Sequence, residues 1–363
     1  MTDVVTLALV GDVMLGRGVS EEILRHRSQD KAGFSPGSVW GDVLPILQGA
    51  DLVIANLECA ITHQTQQCRR TAKLFHFRAD PVAVEVLQAA NIRCVSLANN
   101  HSLDFDDQGL LDTLDYLDAA KIHHAGAGRN LQQAIAPAII PLADLCLGFI
   151  ALTDNEETFA AQPDRPGTYY LEIAPRPEVL AIVQNSVDQA RQAGANFVIL
   201  SAHWGPNMVI SPPRHFRAFA HAAIDCGVDL FYGHSAHLVQ AVECYHHRLI
   251  LYDTGDFLDD YIVDPHLRND WSFVFLVDIS KSGLHSLRLI PVRLHYARVE
   301  RARDEEFTAI CARMRSLCAE FNPPLVDIPE GLKIAPISQD TSWVADRSSL
   351  PNKFQEEGTY EYL

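Results

Sequence analysis

Asp, Glu, Asn and His side chains recur where short apolar runs end in this 363-residue chain. Gly11–Asp12 follows Val4–Val10, Asn56–Leu57–Glu58 follows Leu52–Ala55, and Asn99–Asn100–His101 follows Ile92–Ala98. His203–Trp204–Gly205 follows Phe197–Ala202, and Gly233–His234–Ser235–Ala236–His237 follows Val228–Tyr232. Carboxylate, amide oxygen and imidazole together suit Mn, Fe or Zn better than Ca or Mg. One or two such divalent ions would make a centre for hydrolysis of an anionic substrate. Each motif alone is weak: Gly-Asp is commonly a turn closed by its own Asp, and a lone His203 is more often packed than ligating. Gly-His-x-x-His is the most specific, because two imidazoles on a short glycine-led turn can reach neighbouring ligand positions. Their shared strand-end context points to one site holding Asp12, Glu58, Asn100, His203, His234 and His237. No Gly-x-Ser-x-Gly motif and no convincing Cys–His nucleophile pair is visible, so hydrolysis is expected to be metal-based rather than covalent.

Positioning these groups requires parallel strands, whose carboxyl ends form the ligand edge of an open α/β sheet. Short continuous runs rich in β-branched residues suit strands buried on both faces. Cys146–Leu152, Leu249–Tyr252 and Phe273–Ile279 add to those already named. Helical stripes alternate with them. Asp80 and Pro81 can cap and begin a helix carrying Ala83, Val86, Leu87 and Ala90. Val179, Val183, Val187 and Ala190 form a second stripe ending at Gly194, and Phe216 to Ile224 a third ending at Gly227. Phe273–Ile279 and Ser286–His295 flank Lys281–Ser282–Gly283 and read as a hairpin, hence an antiparallel edge on a mixed sheet. Phe307, Ile310, Cys311, Met314 and Leu317 predict one more amphipathic helix. From about Pro336 the chain turns polar and reads as a loosely packed tail.

The 46 acidic and 29 basic residues give a formal charge of −17. That excludes the basic footprint of nonspecific nucleic-acid binding. It does not exclude an anionic substrate, because bound metal ions invert the local charge. The eight cysteines include no C-x-x-C pair and read as free thiols in a reducing compartment. No stretch reaches membrane-spanning length and no signal sequence is visible, so a cytoplasmic location is expected.

At these residues the chain resembles the bacterial capsule-synthesis CapA family, associated with poly-γ-glutamate production. The resemblance rests on GDVMLGR at Gly11–Arg17, NLECAIT at Asn56–Thr62, SLANNHSLDF at Ser96–Phe105 and GLLDTLDYL at Gly109–Leu117. It continues in AHWG at Ala202–Gly205, GHSAHLVQAVE at Gly233–Glu243 and LYDTGDFLDDY at Leu251–Tyr261. It spans roughly residues 5 to 295 in the family's order. It implies a relative of calcineurin-type metallophosphoesterases, a four-layer αββα sandwich with mixed sheets. By that resemblance Asp12 opens the site, Glu58 bridges two metals, Asn100 is a ligand and His101 the general acid. His203, His234 and His237 are the late ligands. Two departures stand out. Met14 occupies the position where phosphoesterases usually have a His, and Asp256 stands where many capsule proteins carry Asn. Asp256 is the expected substitute ligand, with Met14 packed in the core below the pocket. Asp104 is expected to orient His101, and Arg17 and Asn56 to contact substrate. Arg69, Arg70 and Lys73 read as a solvated basic loop. The expected organisation is a metallophosphoesterase-like domain over 1–300, a helical extension over 301–335 and the polar tail over 336–363. The expected function is metal-dependent hydrolysis of a phosphoester or related anionic bond, small-molecule or polymer, linked to the capsule-synthesis machinery. The alternative is a non-catalytic subunit that binds an anionic polymer or assembles that machinery.

Overall fold

The computed structural model describes residues 4–29, 35–335 and 337. The apolar runs pair into two large mixed sheets. In the ten-stranded sheet, Val5–Val13 lies parallel to Leu52–Leu57 on one side and antiparallel to Trp271–Ser280 on the other. Ile92–Ser96 continues the parallel order beyond Leu52–Leu57. In the six-stranded sheet, Leu145–Thr153, Phe197–His203, Leu230–His234 and Arg248–Leu251 run parallel. Antiparallel strands Ala138–Leu142 and Val242–Tyr245 close its two edges.

The alternation of side chains along Val5–Val13 divides the core. Leu7 and Leu9 join one cluster with Phe149, Ile199, Phe231 and Phe275, whereas Ala8 and Val10 join a second with Val19, Val86 and Leu114. Helices Arg17–Gln29, Ala83–Ala89 and Asp106–Ala119 therefore cover the large sheet on the second cluster's side. Pro177–Gln192 and Arg214–Asp225 pack on the smaller sheet, burying the predicted stripes and ending before Gly194 and Gly227, both at φ +100°. Burying a side chain such as Phe149 or Phe219 contributes roughly 1.5–3 kcal/mol.

Several expectations are modified. The helix at Ala83 starts two residues later than Pro81, because Asp80 Oδ1 accepts the Val82 N–H at 3.0 Å and holds a turn there. The hairpin is present, turning at Lys281–Ser282, but it lies inside the large sheet rather than at its edge. The reason is a further pair of strands, Leu325–Ile328 and Gly331–Ile334, the second of which bonds to Gly283–His295. Residues 301–335 thus hold the expected helix, Asp304–Cys318, and also two strands of the large sheet. That helix buries Ile310, Cys311, Met314 and Cys318 in the first cluster. The tail read over 336–363 lies outside the described residues apart from Ile337, which is buried.

Candidate metal centre

Backbone register brings the polar strand ends together. Asp12 stands opposite Asn56 on one neighbouring strand and Asp256 on the other. His203 stands opposite His234 in the smaller sheet. Both junctions depend on glycine. A Cβ on Gly11 would lie 1.9 Å from the Gly255 carbonyl oxygen, and one on Gly233 would lie 2.0 Å from that of Tyr252. Only glycine permits such an approach. Ser235 (φ 114°), His237 (φ 56°) and Arg17 (φ 48°) adopt positive φ beside the cluster. Such backbone strain concentrates at functional sites.

Two groups of ligand-type atoms result, and Asp12 belongs to both. The first is Asp12, His203 and His234. His203 Nδ1 is 2.9 Å from His234 Nδ1, which is 3.6 Å from Asp12 Oδ1, and His203 Nε2 is 3.0 Å from Asn100 Oδ1. The second is Asp12, Glu58, His237 and Asp256. His237 Nδ1 is 2.8 Å from Asp256 Oδ1 and 3.8 Å from Asp12 Oδ2. The resemblance gave the shared role to Glu58. Asp12 is the residue common to the two groups, and Glu58, of the second, also reaches toward the first, with Oε1 3.8 Å from His203 Nε2.

Asp12 Oδ2, both Glu58 oxygens and Asp256 Oδ2 are buried without a hydrogen-bond partner among the described residues. Burying an unpaired carboxylate is costly. Burial is the main cause that pushes Glu58 up to about 7, and it raises Asp12 well above the usual carboxylate range, with Glu58's charge adding to it. The imidazoles respond oppositely. Burial lowers His234 to about 3 and holds His203 well down, assisted by its histidine neighbours, so both are in the neutral, ligating form. Ser201 Oγ sits 2.8 Å from His234 Nε2. With Nε2–H donated there, Nδ1 keeps its lone pair toward Asp12. Burial also opposes charge on His237, yet Asp256, Glu58 and Asp12 override it and raise its pKa. The donor chemistry and the orphaned oxygens fit a divalent cation.

The six expected ligands converge here, and Asp256 joins them. His101 faces the cluster without belonging to either group: Nε2 is 3.9 Å from Glu58 Oε1, and Nδ1 is 2.5 Å from Asp104 Oδ2. Burial lowers His101 to about 4 against the opposing pull of Asp104. Met14 is fully buried in the second core cluster, its sulfur accepting the Gly16 N–H at 3.1 Å. Arg17 lies at the rim, Nε 3.3 Å from Asp260 Oδ2, with its guanidinium over Phe75 and Phe77.

Two expectations are corrected. Asn56 is fully buried rather than open to substrate. Its Nδ2 donates to Asp12 Oδ1 at 2.8 Å and its Oδ1 accepts from Asn99 at 3.0 Å, so it orients the Asp12 carboxylate. Lys73 is not in a solvated loop: Nζ donates to Asp104 Oδ1 at 2.7 Å and to the Asn100 carbonyl. Arg70 pairs with Asp106 and Asp107. Sequence reasoning also passed over Asn99, Ser201 and Tyr261. The Tyr261 ring meets His237 edge-on at 5.5 Å and Phe77 at 5.8 Å, while Phe77 stacks on His101 at 3.8 Å. Burial raises the Tyr261 phenol, and Glu58 is the carboxylate that adds most to the shift. Their common signal is adjacency: each lies within two residues of a motif or a strand end.

The family described as bacterial capsule synthesis protein PGA_cap matches residues 6–261. A probable polyglutamine synthesis accessory protein of Mycobacterium tuberculosis is 32% identical, covering 94% of this chain and 98% of its own. The PGA biosynthesis protein CapA of Bacillus subtilis is 27% identical over 81% of this chain and 73% of its own. The capsule biosynthesis protein CapA of Bacillus anthracis is 26% identical over 73% and 64%. A solved structure of a hypothetical protein from Thermus thermophilus overlays with a TM-score of 0.40 at 15% identity, spanning 81% of this chain and 96% of that one. That likeness is too loose to bear on the chemistry.

Proposed function

The chain belongs to the bacterial capsule synthesis protein family, and from that premise we propose that it is a metal-dependent hydrolase of a phosphoester or related anionic bond, serving capsule or polyglutamate synthesis. The observation that carries this reading is the set of buried, unpartnered carboxylate oxygens on Asp12, Glu58 and Asp256, facing the neutral imidazoles of His203 and His234. Mn, Fe and Zn all suit this mixture of donors. Asp12, His203, His234 and the Asn100 amide oxygen would hold one ion; Asp12, Glu58, His237 and Asp256 would hold the other. When bound, such ions act as Lewis acids toward an oxyanion. His101 moves a proton at Nε2, while Asp104 holds its Nδ1 and stabilises the imidazolium. Lys73 fixes Asp104, and Arg17 at the rim supplies a cation for an incoming anion.

A second reading has its own support. The relatives are named as synthesis accessory and biosynthesis proteins, and a subunit that binds anionic polymer without cleaving it would use the same pocket. Turnover separates the two. Mn-loaded protein is expected to hydrolyse an aryl phosphate, and His101→Ala to lower turnover by roughly 10²–10⁴-fold with bound metal unchanged. No turnover by a fully metal-loaded wild type favours the binding subunit. Equal turnover in the variant removes His101 from the mechanism.

A further inference from the structure

The phenol of Tyr261 has no part in the ligand groups, and its placement is unusual. Its hydroxyl oxygen is buried and has no hydrogen-bond partner among the described residues, although the residue as a whole is partly exposed. A buried donor left unpaired is destabilising. The residue is nevertheless held firmly. Its N–H donates to Asp259 Oδ1 at 2.8 Å, and the Asp259 carbonyl accepts the Ala297 N–H at 2.9 Å. Packing of the ring against His237 and Phe77 leaves it between the second ligand group and the aromatic wall on which His101 stacks. The Arg17 guanidinium stands 5.6 Å from the centroid of that same Phe77 ring.

We infer that Tyr261 is a substrate-binding residue, whose O–H donates to an oxygen of a tetrahedral oxyanion held at the carboxylate–histidine cluster. This rests on the metal-centre reading and adds a named contact to it. A phenol is a neutral donor at neutral pH. It can therefore bond an anion's oxygen without adding a second cation that would repel the metals. The substrate class is a phosphate or phosphoester, whose several oxygens can meet the cluster, Tyr261 and Arg17 together. The rival role for the hydroxyl is a bond to Glu58 that orients a metal ligand. The two roles move different observables.

The test is calorimetric titration of inorganic phosphate into Mn-loaded full-length protein, wild type and Tyr261→Phe, with Mn per chain measured on the same samples. Phe keeps the ring contacts and removes only the donor. The expected result is unchanged Mn and phosphate affinity lowered about 10-fold, the loss of one charge-assisted hydrogen bond. Unchanged phosphate affinity at normal Mn overturns the inference and leaves the metal centre standing. So does loss of Mn with phosphate affinity per bound Mn unaltered, which assigns Tyr261 to Glu58. A wild type that holds Mn but takes up no phosphate also overturns it. A wild type that holds no Mn overturns this inference and the metal-centre reading together.

Discussion

Glu58 and His237 illustrate how burial leaves this carboxylate cluster short of compensating positive charge. Glu58 is fully buried with both oxygens unpartnered, and burial raises it from 4.5 to about 7. Between those values the folded chain binds more protons than the unfolded one, so without metal Glu58 subtracts stability as pH rises through that window. His237 is raised despite its burial, because Asp256, Glu58 and Asp12 hold its proton. Its contribution is present in full below the ordinary histidine value and is lost as pH rises through the elevated one. Both residues therefore make the metal-free protein weaker at alkaline pH. A divalent ion bound here would replace the protons and remove that penalty. The rise in thermal midpoint on adding Mn is expected to be larger at about pH 8 than at about pH 5, read by circular dichroism. An equal rise at both, or a larger one in acid, would contradict the assignment of these two residues.

Asp12, His203, His234 and Asp256 lie in strands and Glu58, Asn100 and His237 in the segments just beyond strand ends, and the close approach of these ends is the device. Val5–Val13, Phe197–His203 and Leu230–His234 extend past their apolar runs, so that Asp12, His203 and His234 are strand residues. Gly11→Ala would press a methyl against the Gly255 carbonyl, which accepts the Asp12 N–H at 2.8 Å. That backbone cannot rotate away as a side chain would. The variant is expected to lose about 1–3 kcal/mol by chemical denaturation, as overpacked sites do, and to bind metal more weakly. Gly49→Ala is the control: nothing lies within 4 Å of its added Cβ. Equal stability of the two variants would show that the approach at Gly11 is not needed. The strand-end motifs were legible because hydropathy marks each apolar run and the polar residue that stops it. Asp256 was legible only through the resemblance and the run before it, since its own strand, Asp256–Leu258, is three residues long. Lys73 and Tyr261 lie outside helices and strands, where no period marks which way a side chain points. The interior place of the hairpin was hidden because the strand that pairs with it, Gly331–Ile334, is only four residues long and carries no continuous apolar run.

At the scale of the whole molecule, the site is where the two sheets meet, and neither sheet supplies it alone. The larger brings Asp12, Asn56 and Asp256, and the smaller brings His203 and His234. The Tyr232 hydroxyl, on the smaller sheet, donates to the Val10 carbonyl two residues before Asp12 and ties the sheets together. Divalent ions at this seam would give a chain of formal charge −17 the local positive charge that an anionic substrate requires. The central claim is therefore that Asp12 is the carboxylate common to two metal positions, with Asp256 serving only one. Elemental analysis of purified protein after Mn loading tests it most directly, comparing wild type, Asp256→Ala and Asp12→Ala. The account predicts about two ions per wild-type chain, about one in Asp256→Ala and close to none in Asp12→Ala. Wild-type protein without bound metal, or an Asp12→Ala variant that retains the wild-type complement, would contradict it.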